Sequence, residues 1–385
     1  MNPIYASLPD TVFDVMSRLA RETGAINLGQ GFPEWDGPLD IRERAARAVV
    51  EGPNQYPPMR GVPALREAVA EHYQRMQSVE LDWKSEVTIT SGATEALAAA
   101  LLAILQPGDE VVLFEPMYDS YLPMLRRAGA TARLVRLEPP EWRVDPARLA
   151  AAFTAKTRVV VLNTPLNPSA SLIGREDLAL IAAKCVEHDC VAISDEVWEH
   201  CVFDGASHVS MLQAPGMRER TIKIGSAGKM FSMTGWKVGF ACAAPKLTEV
   251  FAKAHQFLTF TTAPNLQSAV AYGLGKPVGH FEEMRVQLAR GRDRMQLALQ
   301  QEGFRVLPAA GTYFAGVDLH ASGIGMTDKD FAIRAVKDCG VATIPFSAFY
   351  VNPPETSVVR LCFAKSDATL DQGVERLAKA RRLMA

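Results

Sequence analysis

Residues 226–239 read Ser-Ala-Gly-Lys-Met-Phe-Ser-Met-Thr-Gly-Trp-Lys-Val-Gly, and the other motifs of the chain are arranged around this stretch. It follows an apolar run, 221–225, which is typical of a strand that ends at a glycine. Lys229 stands among small residues, and a second lysine, Lys237, follows it in the same stretch. A lysine that loses hydration in a pocket is deprotonated more easily and can attack a carbonyl. Two such lysines suit one cofactor, because one can form an imine with an aldehyde while the other binds a phosphate.

Taken alone, both lysines could be ordinary solvated loop residues. A second motif favours the cofactor interpretation. Val87-Thr-Ile-Thr-Ser-Gly-Ala-Thr-Glu95 has the pattern of a strand that delivers small residues to the start of a helix over 95–105. Helix N-termini present free N–H groups and the positive end of a dipole, so a phosphate fits against Gly92, Ala93 and Thr94. Turns of this kind are common, and the motif is weak without Lys229.

The 385 residues are enough for a large core and two domains. The net charge of -2 argues against nucleic acid or an anionic membrane as a partner. No apolar run reaches the length of a membrane span and no signal peptide is evident, so we expect a cytoplasmic protein. The six cysteines are scattered without a Cys-x-x-Cys motif, which predicts buried free thiols and no bound metal.

Three further motifs lie along the chain: the glycine- and proline-rich segment 26–38, Asn163-Thr-Pro-Leu-Asn-Pro-Ser-Ala170, and Ser194-Asp-Glu-Val-Trp198. Together with residues 226–239 they resemble the class I/II aminotransferases of fold type I, and most of all the kynurenine, glutamine and methionine aminotransferase branch. The resemblance extends from about Ile26 to the C-terminus. It implies pyridoxal 5'-phosphate as the cofactor.

The resemblance also implies an α/β fold, with a large domain built on a mostly parallel seven-stranded sheet and a smaller α/β domain at the C-terminus. Residues 1–38 are expected to form an N-terminal arm and part of the small domain, 39–280 the large cofactor-binding domain, and 281–385 the small C-terminal domain. The alternation of apolar runs, glycine-rich turns and helices after Val87 fits this fold, because it is the signature of a parallel sheet. The predicted helices include 39–51, 63–77, 278–302, 327–338 and 367–382.

By position, the resemblance assigns Lys229 and Asp195 to catalysis, with Lys229 bonded to the cofactor aldehyde and Asp195 beside the ring nitrogen. A carboxylate buried beside such a nitrogen keeps it protonated, although Asp195 could instead cap a helix. The residues expected to contact the cofactor are Tyr56, Gly92, Ala93, Thr94, Tyr118, Asn167, Asp195, Trp198, Ser226, Lys229 and Lys237.

The substrate would be bound by Gly29, Asn163, Arg360 and Phe260. Arg360 interrupts an apolar strand, and a buried arginine needs an anion, either the substrate carboxylate or an internal salt bridge. Tyr56 and Phe260 match positions that the family donates across a subunit interface, which implies a homodimer with shared active sites. The alternatives are a tyrosine packed under a proline turn for Tyr56 and core filling for Tyr118.

Two residues depart from the family pattern. Ala170 replaces the final glycine of its motif, which suggests a slightly different turn there. Trp198 stands where the family has a tyrosine whose phenol donates a hydrogen bond to the cofactor's ring oxygen. Neither change affects Lys229 or Asp195, so catalysis is expected to survive both.

The implied reaction is a ping-pong transfer of an amino group from a neutral amino acid, of the methionine, glutamine or aromatic type, to a 2-oxo acid. We expect aromatic walls from Phe32, Trp35, Tyr121 and Phe260 and no second arginine for a side-chain carboxylate. A β-eliminating carbon–sulfur lyase on the same scaffold is one alternative. A non-catalytic regulator that binds the cofactor is another, although such proteins usually carry a DNA-binding module and no residues are left over to form one.

Overall fold

The computed structural model describes residues 1–352 and 357–385. The helices are α1 (Pro3–Ala6), α2 (Val12–Thr23), α3 (Leu39–Glu51), α4 (Pro63–Gln77), α5 (Trp83–Glu86), α6 (Ala93–Ile104), α7 (Tyr121–Arg127), α8 (Pro146–Ala152), α9 (Arg175–Glu187), α10 (Ala227–Met230), α11 (Pro245–Leu258), α12 (Pro264–Leu274), α13 (Val278–Gln301), α14 (Asp328–Cys339) and α15 (Asp367–Met384). The strands are β1 (Ile26–Asn27), β2 (Val87–Thr90), β3 (Glu110–Glu115), β4 (Thr131–Arg136), β5 (Thr157–Asn163), β6 (Val191–Asp195), β7 (Thr221–Ser226), β8 (Gly239–Ala243), β9 (Arg305–Val306), β10 (Phe314–Asp318), β11 (Val341–Ala342), β12 (Ile344–Pro345) and β13 (Val358–Cys362).

The large sheet has seven strands in the order β2-β8-β7-β6-β5-β3-β4. Every pairing within it is parallel except those of β8, which runs antiparallel to both β2 and β7. Residues 159–162 of β5 are almost completely buried, because helices cover both faces of the sheet and leave no strand face for polar side chains. The prediction of a mostly parallel seven-stranded sheet is confirmed.

The carboxyl ends of the parallel strands meet at one edge of this sheet. Asn163 and Asp195 are the last residues of β5 and β6, and the two are paired in register. Ser226 ends β7, and the α6 turn follows β2. Open α/β sheets bind their ligands at this edge, and the predicted site residues therefore converge there.

A second sheet, of four antiparallel strands in the order β12-β13-β10-β9, is formed by the C-terminal part of the chain. The N-terminal arm packs against the same part of the chain, since β1 pairs in parallel with β11 in a separate two-stranded sheet and α2 packs against α14. Thr11 caps α2 by accepting a hydrogen bond from the N–H of Asp14, and Gly24 ends it in the left-handed conformation, with φ 64. These caps fix the length of α2, the helix that lies over the cavity described below.

The predicted helices match α3, α4, α13, α14 and α15 to within two residues. Helices α9 and α11 and strand β4 were not predicted. The boundaries at 38/39 and 280/281 stay predictions, and the second of these lies in the first turn of α13. No helix within the described ranges has the length and apolar character needed to cross a membrane.

Candidate active site

A cavity of about 580 Å³ lies at the carboxyl edge of the large sheet, between it and the second sheet. The predicted residues that line it are Gly92, Ala93, Thr94, Tyr118, Asn163, Asn167, Asp195, Trp198, Ser226, Lys229, Lys237 and Arg360. The cavity thus brings together residues that are separated by up to 268 positions in the sequence. Gly29, Tyr56 and Phe260 are the predicted site residues outside its lining.

Lys229 lies in the short helix α10, immediately after β7. Its Nζ donates a hydrogen bond of 3.1 Å to Oη of Tyr313 and lies 4.5 Å from the centre of the Trp198 ring. Removal from water disfavours the ammonium form and lowers the pKa of Lys229 to about 8. An appreciable fraction of the amine is therefore unprotonated near neutral pH and able to act as a nucleophile or a base.

Asp195 is buried at the end of β6, and its Oδ2 accepts a hydrogen bond of 2.6 Å from the phenol of Tyr121. Burial raises the pKa of Asp195 to about 6, and the bond from Tyr121 partly opposes that rise. The segment after β6 is not helical, so the alternative role of a helix cap is wrong. Asn163 fixes the end of the strand by donating from Nδ2 to the carbonyl oxygen of Asp195 at 2.9 Å.

Arg360 lies in the middle of β13 and is almost fully buried. Its Nη1 donates to Oδ1 of Asn167 at 2.7 Å and its Nη2 to the carbonyl oxygen of Gly29 at 3.0 Å. Its guanidinium carbon is 3.9 Å from the centre of the Phe314 ring. Burial lowers the pKa of Arg360 to about 10, so the group stays charged at neutral pH.

The partners of Arg360 are neutral, and it forms no salt bridge with any residue in the described ranges. Its Nε is buried there without a hydrogen-bond partner. The internal salt bridge considered from the sequence is therefore wrong within those ranges. A buried guanidinium of this kind favours an incoming carboxylate. Gly29 does not line the cavity, and its backbone instead orients Arg360.

The opposite end of the cavity is formed by the first turn of α6. Gly92 precedes this helix with φ +82, and a Cβ at this position would lie 3.1 Å from Cε and 3.4 Å from Nζ of Lys237. Glycine is thus needed both for the backbone conformation and for the close approach of the lysine. The first N–H groups of a helix have no partner within it, so this end combines backbone donors with an ammonium. Ser226 adds a hydroxyl.

Trp198 is buried among aromatic rings. Its indole packs edge to face on Tyr313, at 4.3 Å between ring centres, and on Phe314, at 5.4 Å. Tyr313 in turn donates a hydrogen bond of 2.6 Å to the carbonyl oxygen of Gly31. The Tyr313 oxygen therefore donates to Gly31 and accepts from Lys229, which places it directly at the amine.

Several site residues escaped the sequence analysis. Tyr313 and Phe314 belong to none of the motifs quoted above, and Phe13, Asp14, Ser17 and Arg21 of α2 also line the cavity. An N-terminal arm is expected from the resemblance, but no motif within it points to a side chain at the site. Asp119, next to Tyr118, also lines the cavity, and burial raises the pKa of its carboxyl.

The expected aromatic walls need correction. Phe32 and Trp35 lie outside the cavity, because the chain turns away from it after Gly31 and exposes Phe32 beside Lys365. Tyr121 is buried as the partner of Asp195. The aromatic residues that do line the cavity are Phe13, Tyr118, Trp198 and Phe314, and Arg21 is an additional arginine that the sequence analysis did not expect.

Tyr56 and Phe260 lie on the surface, 83% and 40% exposed, and their rings meet edge to face at 5.5 Å. Neither lines the cavity of its own chain. Packing of Tyr56 under the neighbouring prolines does not bury the ring. Ala170 has φ 61, so the residue that replaces glycine keeps a left-handed backbone that costs an alanine roughly 1 kcal/mol.

The cavity fits pyridoxal phosphate by the chemistry of its groups. A lysine with a lowered pKa suits the aldehyde, the buried Asp195 suits a protonated ring nitrogen, and the α6 turn with Lys237 suits the phosphate. Oδ1 of Asn167 is bonded to Arg360, which leaves its Nδ2 as a donor for the ring oxygen.

The chain matches the family model of aminotransferase class I and II over residues 23–377. Methionine aminotransferase of Escherichia coli (strain K12) is 42% identical over 370 residues, which cover 96% of this chain and 96% of that protein. Human kynurenine–oxoglutarate transaminase 1 is 35% identical over 396 residues, with 94% of each chain covered. The structure of N-succinyldiaminopimelate aminotransferase from Mycobacterium tuberculosis has a TM-score of 0.95 at 40% identity, covering 99% of this chain and 100% of that one. This chain therefore belongs to the class I and II aminotransferases, enzymes of fold type I that use pyridoxal phosphate.

Proposed function

We propose that this aminotransferase moves the amino group of a neutral amino acid, of the methionine, glutamine or aromatic type, to a 2-oxo acid in a ping-pong reaction. The observation that carries the proposal is that Lys229, Asp195 and Arg360 line one cavity, with a reactive amine, a buried carboxylate and a guanidinium without an acidic partner in the described ranges. The relatives named above are aminotransferases, so the carbon–sulfur lyase and the regulatory protein gain no support.

When bound, the cofactor supplies an aldehyde that receives the amino group and an aromatic ring that withdraws electrons from the adjacent carbon. Lys229 would hold the aldehyde and, once displaced, take and return the proton at the substrate Cα. Its pKa of about 8 suits both directions of this transfer. Asp195 would hold the proton on the ring nitrogen, because a buried carboxylate beside it favours the charged ring.

The phosphate would be held by Gly92, Ala93, Thr94, Ser226 and Lys237, and the rim of the ring by Tyr118, Asn167 and Trp198. Arg360 would bind the substrate α-carboxylate, oriented by Asn167 and Gly29. Asn163 would act by fixing the ends of β5 and β6. The narrow cavity would exclude water from the reacting carbon.

The preference for neutral side chains rests on the walls of the cavity. Phe13, Tyr118 and Phe314 offer apolar contact, and Asp14 and Asp119 would repel a second carboxylate near Arg360. Arg21 also lines the mouth and is the residue that would accept such a carboxylate if the preference were different. The methionine and kynurenine aminotransferases among the relatives support the neutral and aromatic class.

A panel of amino donors tests this proposal. The purified holoenzyme would be mixed with methionine, glutamine, phenylalanine, aspartate or glutamate, and the change in cofactor absorbance would be followed in single half-reactions. We expect the neutral donors to be fastest, and a rate for aspartate or glutamate far above theirs would contradict it. Release of the amino group as free ammonia, in place of its retention on the cofactor, would identify a lyase.

We also propose a homodimer in which Tyr56 and Phe260 reach the partner's active site, so that each active site is complete only in the dimer. Their exposure and mutual contact support this, as does the neighbouring Phe257, which is 87% exposed. Full activity of a monomer at high dilution, monitored by sedimentation, would contradict it.

We place the enzyme in the cytoplasm, since all six cysteines are free and buried, as in a reducing compartment.

A further inference from the structure

His255 is a fully buried histidine on α11 for which the proposed reaction has no use. Its Nδ1 lies 3.0 Å and 3.1 Å from the two carboxylate oxygens of Glu95. Its Nε2 lies 3.1 Å from the carbonyl oxygen of Met59. The ring thus bridges three separate segments, namely α11, the first turn of α6 and the loop between α3 and α4.

The partners of His255 determine its charge. A backbone carbonyl can only accept a hydrogen bond, so Nε2 must donate to Met59. The Glu95 carboxylate also acts as an acceptor, because its Oε2 already receives the N–H of Ser91 at 3.1 Å. Both ring nitrogens therefore face acceptors, an arrangement that suits an imidazolium donating to both. The Nδ1 of His255 is within salt-bridge distance of Oε1 of Glu95, at 3.0 Å.

Glu95 lies next to the turn that is proposed to hold the cofactor phosphate, so its contact with His255 affects that site. Glu95 is the third residue of α6 and directly follows Gly92, Ala93 and Thr94, the turn at which the cofactor phosphate would be held. A carboxylate at a helix N-terminus is favourable by itself but competes with a phosphate for the same partial positive charge. Without a cation beside it, Glu95 would repel a dianionic phosphate in the same turn.

We propose that His255 is a positioning residue of the phosphate site, which neutralises Glu95 and so keeps the first turn of α6 available to the cofactor phosphate. The inference deepens the proposed function and rests on its assignment of the phosphate to this turn. Ser91 extends the arrangement, since its Oγ lies 3.0 Å from Oγ1 of Thr259 and 2.9 Å from Oγ1 of Thr262. These threonines flank Phe260, so the turn is held from the side of the proposed interface as well.

The test compares the apoenzyme's affinity for pyridoxal phosphate with its affinity for pyridoxal, which lacks the phosphate, by fluorescence titration. The ratio of the dissociation constant for pyridoxal to that for pyridoxal phosphate measures the contribution of the phosphate contact. A general loss of folding stability would weaken the binding of both ligands and leave this ratio unchanged. We expect His255→Gln to weaken the binding of pyridoxal phosphate about tenfold and to leave the binding of pyridoxal unchanged. A tenfold change in an equilibrium constant is the usual size of one such charge interaction, as in a pKa shift of roughly one unit. We expect Glu95→Gln/His255→Gln to restore the ratio, because the repelling charge is gone.

Single Glu95→Gln should leave the ratio equal to or above that of the wild type, which keeps the proposal testable if His255→Gln folds poorly. A buried histidine remote from α6 provides the matched control, since His72→Gln should lower the melting temperature without changing the ratio. Equal loss of both ligands in His255→Gln, failure of the double variant to recover, or a lowered ratio in Glu95→Gln would overturn the inference. A wild-type apoenzyme with no preference for the phosphate would instead overturn the proposed phosphate site itself, and this inference with it.

Discussion

The phenol of Tyr121 donates a 2.6 Å hydrogen bond to the carboxylate of Asp195, although the two residues are 74 positions apart. The bond stabilises the charged carboxylate and so opposes the rise in its pKa that burial causes. Tyr121 begins α7, the helix that follows β3, while Asp195 ends β6. The contact therefore joins α7 to the end of β6 and fixes the carboxylate that the proposed mechanism needs ionised.

Replacement of Tyr121 by phenylalanine tests this contact. Loss of the donor disfavours the charged carboxylate, so the pKa of Asp195 rises and the acid limb of the rate profile should move to higher pH. We expect a shift of about one unit, since a hydrogen bond to a charged group contributes roughly 1.5 kcal/mol or more. From a pKa of about 6, such a shift lowers the ionised fraction of Asp195, and with it kcat, about twofold at pH 7 and by a larger factor at lower pH. The pH dependence of kcat in both proteins provides the measurement. An unchanged acid limb would show that Tyr121 only fills space.

The two lysines of the site should differ in their chemistry. Lys229 has its pKa lowered to about 8 and reaches Tyr313, whereas Lys237 lies against Gly92 at the start of α6. We expect borohydride reduction of the holoenzyme and peptide mapping to find the cofactor on Lys229. Lys229→Ala should lose activity almost completely, while Lys237→Ala should keep the label on Lys229 and bind pyridoxal phosphate more weakly. A label on Lys237 in the wild type would reverse the assignment.

A buried cluster of charges behind the site should govern stability. Nζ of Lys223 donates to Glu196 and, at 2.6 Å, to Glu199, and all three side chains are inaccessible to solvent. Burial alone would raise the pKa of Glu196, but Lys223 and His208 hold it well below its usual range. We expect Lys223→Met to lower the free energy of unfolding by about 3–5 kcal/mol, because it removes the buried ammonium that both Glu196 and Glu199 contact.

The loss of unfolding free energy caused by Lys223→Met should become smaller as the pH falls. A carboxyl whose pKa is depressed by folding adds stability above its unfolded pKa of about 4.3, and that stability is lost as the pH falls towards the folded value. The difference in unfolding free energy between the wild type and Lys223→Met should therefore shrink below about pH 4. Urea unfolding at several pH values measures it. Adding Glu196→Gln to the lysine variant should recover part of the stability, and no recovery would mean that packing rather than charge was lost.

Much of the site could be predicted because its main functional residues lie in short sequence motifs that resemble those of the family. Lys229, Asp195, Asn167 and Arg360 each stand in a short pattern of recognisable residues, and all four line the cavity. The seven-stranded sheet followed from the family resemblance, and the near-continuous apolar runs of buried parallel strands agreed with it.

The rest depends on contacts between distant residues that no local pattern records. Tyr313 contacts Lys229 across 84 positions and belongs to none of the motifs from which the site was predicted. Phe32 and Trp35 are as aromatic as Phe13 and Phe314, yet only the path of the chain around Gly31 decides which rings line the cavity. A Cβ at Gly31 would lie 3.1 Å from the Phe314 ring, so the path of the chain here depends on close packing of the Gly31 backbone against β10.

By the family resemblance, Trp198 stands at a position where a tyrosine phenol would donate a hydrogen bond to the cofactor's ring oxygen. Its ring lies 4.5 Å from Nζ of Lys229 and packs edge to face on Tyr313 and Phe314. An indole offers only an N–H donor, on a bulkier ring whose reach differs from that of a phenol. Asn167 would then be the principal donor to the ring oxygen, and a less stabilised oxygen anion keeps the proton on the bond to Lys229 up to a higher pH.

We therefore expect Trp198→Tyr to lower the pKa of the bound cofactor chromophore, measured by titrating its visible absorbance in the wild type and the variant. Trp198→Phe is the matched control, since it makes a comparable space without a phenol and should leave that pKa near the wild-type value. Both variants should be less stable by about 1–3 kcal/mol, because each leaves part of a well-packed aromatic cluster empty. Catalysis should survive in both, as Trp198 contacts neither the ring nitrogen partner nor the phosphate turn in the proposed arrangement. A chromophore pKa that is unchanged or higher in Trp198→Tyr would show that the indole N–H already replaces the phenol.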